Sequence, residues 1–379
     1  MNTEKSLKTD FHQSFLRISK RDSISQKSAW AIRAGAVLLA LVVNALFVLA
    51  ITGLDPISLY ATMFKGVFGD SFSRWEFIKN SAKLLCIAVA LAPAFKMRYW
   101  NIGGEGQVLM GALASTIIMY TCDSLPSLLL VLLMLIVGLA VGALWAFIPA
   151  AFKAKFNTNE TLFTLMMNYI AMNLVNYYYN KWRGEKSALG EINSQSKKGW
   201  LSSLWGGNED GFFLNEDFWY FLVILLVSVL MYVYLKKTKH GYEISVVGES
   251  RNTAKYAGIS VNKVMLRTLL ISGAVCGLCG FLTVSNSHTI SADNTAGGYG
   301  FTAIIVAWLS KFNTLTMIAV SFMVIFLQKG SSSIADMYAR KGFDTSASSI
   351  VTGIFLLAVI GSEFFINYRL IFRSRKEEK

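Results

Sequence analysis

The chain has 379 residues, of which 54% are hydrophobic and 16% charged, a composition that excludes an ordinary soluble domain and reads as a polytopic membrane protein. The net charge of +13 does not point to nucleic acid, because lysines and arginines sit in the connections between apolar runs and form no basic face. Four cysteines, Cys86, Cys122, Cys276 and Cys279, lie in or at the ends of apolar runs, and none sits in a polar loop that could hold a disulfide framework.

Residues 1–33 are polar and basic, with no signal-peptide core. The first apolar run, Ala34 to Gly53, has no small-residue cleavage site after it and anchors the chain. Asp55 and Pro56 supply a cap and a first helical residue, which predicts an interfacial helix over Ile57 to Asn80 with Phe64, Phe68, Phe72 and Trp75 toward the membrane. A short run, Ala82 to Phe95, carries Pro93.

In KMRYWNIGGEGQVLMGALAS, Gly103 and Gly104 are followed by Glu105 and Gln107 in an apolar setting. This predicts a helix that breaks and restarts at membrane depth, which is tolerated only where the backbone faces protein or a water-filled cavity. Glu105 reads equally as a functional ionisable group and as a carboxylate favoured near the positive start of the next helix. A tight turn at Asp123 to Pro126 leads to the run Leu128 to Phe152, with Pro149 near its end.

In KAKFNTNETLFTLMMNYIAMNLVNYYYNKW, Asn157 with Glu160 three positions on predicts a capping-box start, and Tyr177 to Tyr179 with Trp182 an aromatic belt. Asn168, in the middle of that helix, is expected to face other helices or the pathway. Arg183 to Asn215 is a polar loop placed outside, and Phe218 to Leu235 spans back.

A polar island of 27 residues, Gly241 to Arg267, then separates two apolar runs. Ser250 can cap a short helix that ends at Gly258, and Ser260 can cap the next one. Ala254 and Ala257 share one face of the short helix, small enough to let a partner approach, with Glu249, Arg251 and Lys255 around them. Spacing alone would fit any loop between two spans equally well.

The span Thr268 to Val284 contains a C-x-x-C at Cys276 and Cys279, but in LLISGAVCGLCGFL small residues at three- and four-residue spacing read as close helix packing. After it, Gly297, Gly298 and Gly300 precede a short apolar piece, which predicts a second broken or half-length helix. His288, alone in the loop before it, reads as solvent-facing. The final spans, Leu315 to Leu327 and Ile350 to Phe365, flank a polar loop from Gly330 to Ser349, and Arg369 to Lys379 is a basic tail.

With the termini and the island on one side, that side holds 24 of the 36 lysines and arginines. The positive-inside rule therefore supports ten crossings with both termini cytoplasmic. The expected fold is an all-α polytopic membrane protein with about ten transmembrane helices, some broken or half-length, and a possible internal inverted repeat. Its divisions are a cytoplasmic segment 1–33, a transmembrane domain 34–367 that carries the cytoplasmic segment 236–267, and a cytoplasmic tail 368–379. No G-x-x-x-x-G-K-[ST], H-E-x-x-H or G-x-S-x-G occurs, so no catalytic residue and no metal ligand is assigned and the chain is not read as an enzyme.

Several of these stretches resemble the permease subunits of bacterial ATP-binding cassette (ABC) importers, in the family that handles branched-chain amino acids, simple sugars and nucleosides. GYEISVVGESRNTAKYAGISV is similar to the family's G-x-x-x-R-A-V-G-E-N-x-x-A-A-x-Y-A-G-I-x-V, departing at Ser245 and Val246, where Arg-Ala is common, and at Lys255, where a second Ala is usual. NIGGEGQVLMGA resembles N-I-G-x-E-G-Q-x-x-M-G-A of the nucleoside and simple-sugar branch. NETLFTLMMNYIA resembles N-E-x-x-x-T-L-M-x-N-Y-I-A, and GYGFTAIIVAWLS resembles G-Y-G-F-x-x-I-x-V-A-x-L-x.

The resemblance covers almost the whole chain and implies the permease subunit of an ATP-driven importer in the bacterial plasma membrane, closest to the purine-nucleoside type. It makes Glu249, Ala254, Tyr256, Ala257 and Gly258 the ATPase-coupling residues. Asn101, Gly103, Gly104, Glu105, Gln107, Asn168, Gly298 and Tyr299 become the candidates for the substrate pathway. It implies no cofactor on this chain, with ATP hydrolysed by a partner subunit. The implied partners are ABC ATPase subunits, a second, shorter permease, an extracytoplasmic substrate-binding lipoprotein, the bilayer and a small-molecule solute. No Arg or Lys cluster occurs within the predicted spans, so a neutral nucleoside is expected rather than a nucleotide. The alternatives are uptake of a ribose-like simple sugar, and an ion-coupled secondary transporter, for which Glu105 is the clear relay candidate.

Overall fold

The computed structural model describes residues 16–372, apart from 22–23, 54, 206–214 and 340–342. In chain order the elements are β1 (Leu16–Lys20), α1 (Gln26–Thr52), α2 (Pro56–Phe68), α3 (Ser71–Lys96), α4 (Gly104–Thr121), α5 (Ser127–Phe156), α6 (Glu160–Arg183), a 3-10 turn (Leu201–Trp205), α7 (Glu216–Lys237), α8 (Lys239–Glu249), α9 (Arg251–Tyr256), α10 (Val261–Ser287), α11 (Ala292–Thr295), α12 (Tyr299–Leu309), α13 (Thr314–Tyr338), α14 (Thr345–Asn367) and β2 (Tyr368–Phe372). They divide into two compact units, residues 65–329 and the residues before and after them. Among the described residues, seven helices are long and apolar enough to cross a membrane: α1, α3, α5, α7, α10, α13 and α14. The fold is thus an all-α polytopic one, with two short strands in addition.

In the first unit, α1 packs against α14. Ser25 caps α1 by accepting from the Ser28 N–H at 3.2 Å, and Gly53, with φ of 70°, closes its last turn. An ion pair joins Arg33 to Glu363 at 2.5 Å, and the Asn44 side chain donates to the Val351 carbonyl at 3.2 Å. β1 pairs antiparallel with β2, Ile18 opposite Leu370, so the two ends of the described chain lie side by side. The sequence reading treats both segments as polar tails and does not anticipate this ribbon. Residues 1–15 and 373–379 lie outside the described residues.

The second unit is organised around α4, α5 and α10, which touch through glycine. Gly111 lies against the backbone of Gly277, Gly138 and Gly142 against Gly277 and Gly273, and Gly280 against Val108 and Ala112. Without a hydrophobic driving force between helices in lipid, backbones held this close supply the van der Waals contact that does the work. The small residues around Cys276 and Cys279 therefore serve packing as expected, and both cysteines are buried. α3 lies against α7, α10 and α12 and is buried continuously from Ser81 to Phe95, with Pro93 inside the helix.

Four expectations are corrected here. The helix expected over Ile57 to Asn80 is two, because Gly69 ends α2 and the Asp70 carboxylate caps α3 by accepting from the Ser73 N–H at 2.8 Å. The start of α6 is capped by Asn159, which accepts from the Leu162 N–H at 3.2 Å, whereas Asn157 adopts a left-handed conformation (φ 50°) and closes α5. The polar loop Gly330 to Ser349 is mostly helix, since α13 runs to Tyr338 and α14 begins at Thr345. His288 is not solvent-facing: its ring stacks on Trp200 at 3.7 Å and its Nε2 lies 3.1 Å from Glu216 Oε2.

That His288 cluster tacks down one end of the second unit. The Ser202 N–H donates to Glu216 at 2.9 Å, Trp200 Nε1 donates to the Ile192 carbonyl at 2.8 Å, and Asp217 takes both Lys79 (3.3 Å) and Asn286 (2.9 Å). At the opposite end, ion pairs Lys153–Glu160 and Arg267–Glu243, each 2.8 Å, join α5 to α6 and α10 to α8.

Candidate functional site

The break between α3 and α4 is built from backbone groups that no helix satisfies and side chains that take their place. Arg98 turns the chain with φ of 57°, and the Tyr99 N–H returns to the Ala94 carbonyl at 2.9 Å. Asn101 Oδ1 accepts from the Gly103 N–H and from Gln107 Nε2, both at 3.1 Å. From α6, Thr164 Oγ1 accepts from the Ile102 N–H at 3.2 Å, while Asn168 donates to the Ile102 carbonyl at 2.9 Å and accepts from the Gly106 N–H at 2.8 Å. Asn168 thus faces another helix, as its place in α6 predicts. Gly106 has no room for a side chain, since a Cβ there would sit 2.8 Å from Asn168 Oδ1.

Glu105, only 1% exposed, points the other way, to α12. Its Oε1 accepts from the Gly298 N–H at 2.8 Å and its Oε2 from the Gly300 N–H at 2.7 Å. Gly297 and Gly298 are both left-handed (φ 66° and 72°), and Gly300 lies against the Glu105 backbone, where a side chain would collide. The N-termini of α4 and α12 therefore meet at one carboxylate, where both helix dipoles favour negative charge. Of the two readings of Glu105, this geometry shows the carboxylate at a helix start, although the helix it caps through hydrogen bonds is α12.

A residue the sequence reading passes over completes the cluster. Lys83, on α3 and 7% exposed, donates to the Asn294 carbonyl at 3.3 Å and lies 5.6 Å from the centre of the Tyr299 ring, within electrostatic reach of Glu105. The signal was present, because an ionisable residue inside an apolar run is itself a marker of function. Asn101, Glu105, Gln107 and Asn168 are all buried, whereas Gly297 and Gly298 are exposed.

The other expected site gathers at the far end of α3. Ser250 caps α9 by accepting from the Thr253 N–H at 3.2 Å, and the Ile259 N–H returns to the Ala254 carbonyl at 2.9 Å around Gly258, whose φ is 74°. Glu249, Ala257 and Gly258 are exposed and Tyr256 is 93% exposed. Ala254 is buried, so it seats α9 on its own chain and the face it was expected to share with Ala257 is split. α8, which leads into α9, rests directly on α3: Gly248 lies against the Lys96 carbonyl with no space for a Cβ. Neither site has the arrangement of a nucleophile and a base, and the described residues hold no group of three or more metal-ligating side chains.

Comparison with known proteins identifies the family. The family described as branched-chain amino acid transport system / permease component matches residues 76–360. The chain is similar to a guanosine ABC transporter permease protein of Bacillus subtilis, at 31% identity over 86% of this chain and 92% of that one. It is similar to a glucose ABC transporter permease protein of Haloferax volcanii at 30% identity over 94% and 93%, and to a nucleoside ABC transporter permease protein of Lactococcus lactis at 27% over 86% and 89%.

Proposed function

From the premise that the chain belongs to the branched-chain amino acid transport system / permease component family and is a multi-pass ABC transporter permease, we propose that it forms the pathway by which nucleosides are imported. The observation that carries this reading is its similarity, over most of its length, to permeases of guanosine and of nucleosides. The residues at the break fit a neutral solute, since Asn101, Gln107 and Asn168 are uncharged and Lys83 and Glu105 offset each other. We assign the pathway to Asn101, Gly103, Gly104, Glu105, Gln107, Asn168, Gly298 and Tyr299. Family membership sets aside the ion-coupled transporter.

Coupling to ATP falls to Glu249, Tyr256, Ala257 and Gly258, with Ala254 seating α9 beneath them. A partner ATPase docks there and hydrolyses the ATP; this chain hydrolyses none. A second, shorter permease completes the pathway, and a substrate-binding lipoprotein delivers solute at the His288 end. Ten crossings arise when α4, α6 and the half-length α12 join the seven long helices, and both termini lie in the cytoplasm of a bacterial cell. The β1–β2 pairing supports the even number, because it joins the chain's two ends.

A second reading, import of a simple sugar, is favoured by the glucose permease relative. Uptake of labelled guanosine, adenosine, uridine, ribose and glucose into cells with and without the chain separates the two. Chain-dependent uptake of nucleosides is the expected result, and sugar uptake with no nucleoside uptake refutes the substrate class.

A further inference from the structure

We propose that Glu105 is a substrate-contacting residue whose carboxylate, held at rest by the Gly298 and Gly300 N–H groups, receives a vicinal pair of hydroxyls, such as the 2′ and 3′ hydroxyls of a ribose. This rests on the permease reading above and adds the chemical group the pathway recognises. An ionised carboxylate only accepts hydrogen bonds, and it offers two oxygens side by side. In this structure each oxygen holds one donor, at 2.8 and 2.7 Å. A 1,2-diol presents two donors at matching spacing, so the exchange keeps the number of hydrogen bonds constant. The N–H groups released belong to the start of a helix: Gly298 is exposed, so water can take up its N–H, whereas Gly300 is buried and its N–H reaches water only when the segment swings aside.

Access favours the same exchange. On the α12 side Glu105 is held by backbone groups of a glycine-rich segment: Gly297 and Gly298 are exposed, and at Gly298 even a Cβ would meet nothing within 4 Å. Two successive left-handed glycines give that cover the freedom to swing. The cover is clamped at its ends, where Lys83 takes the Asn294 carbonyl and Glu105 takes the Gly298 and Gly300 N–H groups. A helix start is ordinarily capped by a short side chain of its own segment, at no cost of burying a charge. A long, buried carboxylate from another helix, backed by a buried ammonium, exceeds what capping requires. The ammonium and the carboxylate offset each other, so the pair offers no net attraction to a ligand of either charge, which favours a neutral polyol.

The test compares uridine with 2′,3′-dideoxyuridine in cells carrying the whole transporter, with and without Glu105→Gln. Any selectivity of the binding lipoprotein is common to both strains and cancels. The preference for uridine is expected to fall by roughly tenfold in the variant, chiefly through lost uridine uptake. An unchanged preference overturns the proposal. If the parent strain imports neither uridine nor glucose above a strain lacking the chain, the permease reading itself has failed. Should the variant not reach the membrane, hydrogen exchange of the wild-type chain in its purified complex decides. Amides of residues 296–301 should exchange faster with uridine and not with the dideoxy compound, and no change with either overturns the proposal.

Discussion

At the scale of the residue, polar side chains in this protein act as substitutes for backbone. Ile102 and Gly106 would leave part-buried and buried backbone groups unpaired at the break, and Thr164 and Asn168 reach across from α6 to pair them. Glu105 does the same for the start of α12, where one partner, Gly298, is exposed and the other, Gly300, is buried in the first turn. Gly258 makes the complementary point, because what it needs is conformation and not space. Its φ is 74° and a Cβ there would meet nothing within 4 Å. Gly258→Val should thus leave the packed core untouched while straining one turn by about 1–2 kcal/mol, tilting α9 and the exposed Tyr256. Membrane levels measured by blot should stay near wild type and solute uptake should drop several-fold. Normal uptake in that variant would remove α9 from the coupling machinery.

At the scale of the element, α4, α5 and α10 show why small residues in a greasy helix carry information. Gly277 faces Gly111, Gly138 and Gly142 at once, so no rotamer of a larger side chain avoids the neighbouring backbones. Gly277→Val should cost about 1–3 kcal/mol by forcing α10 away from α5, read as a lower aggregation temperature of the purified protein in detergent. An unchanged temperature would mean that α10 and α5 can separate freely. This packing was legible in the sequence, because glycine and cysteine recur there at helical spacing. So were the breaks at Gly103–Gly104 and Gly297–Gly298, where paired glycines interrupt apolar runs. Their meeting at Glu105 was not legible: residue 105 is joined to residues 298 and 300 by one hydrogen bond each, across nearly two hundred positions of chain, and no local pattern encodes that pairing. Trp200 on His288 was hidden for the same reason. Asn159 was missed in favour of Asn157 because both are good caps and only the left-handed turn at Asn157 decides between them.

At the scale of the whole molecule, the distribution of charge and the pairing of the ends constrain topology together. The residues around α8 and α9, 236–267, carry seven of the 36 lysines and arginines, and the cluster at His288, Glu216 and Asp217 marks the opposite end of the second unit. Ser187 belongs to the loop of that opposite end and Lys255 to α9, and both are exposed. Lys20 and Arg369 face each other's strands in the β1–β2 ribbon, which requires one side of the membrane for both. The native cysteines barely interfere, because Cys86, Cys276 and Cys279 are buried and only Cys122 has to be replaced. Single cysteines at Ser187, Lys255, Lys20 and Arg369 can then be challenged in intact cells with a thiol reagent that does not cross membranes. Ser187→Cys should label from outside, and the other three only after the membrane is opened, in cells lacking the ATPase so that α9 is uncovered. Equal labelling of positions 187 and 255 from outside would break the ten-crossing arrangement. Opposite behaviour at positions 20 and 369 would require an odd number of crossings, which the paired strands forbid.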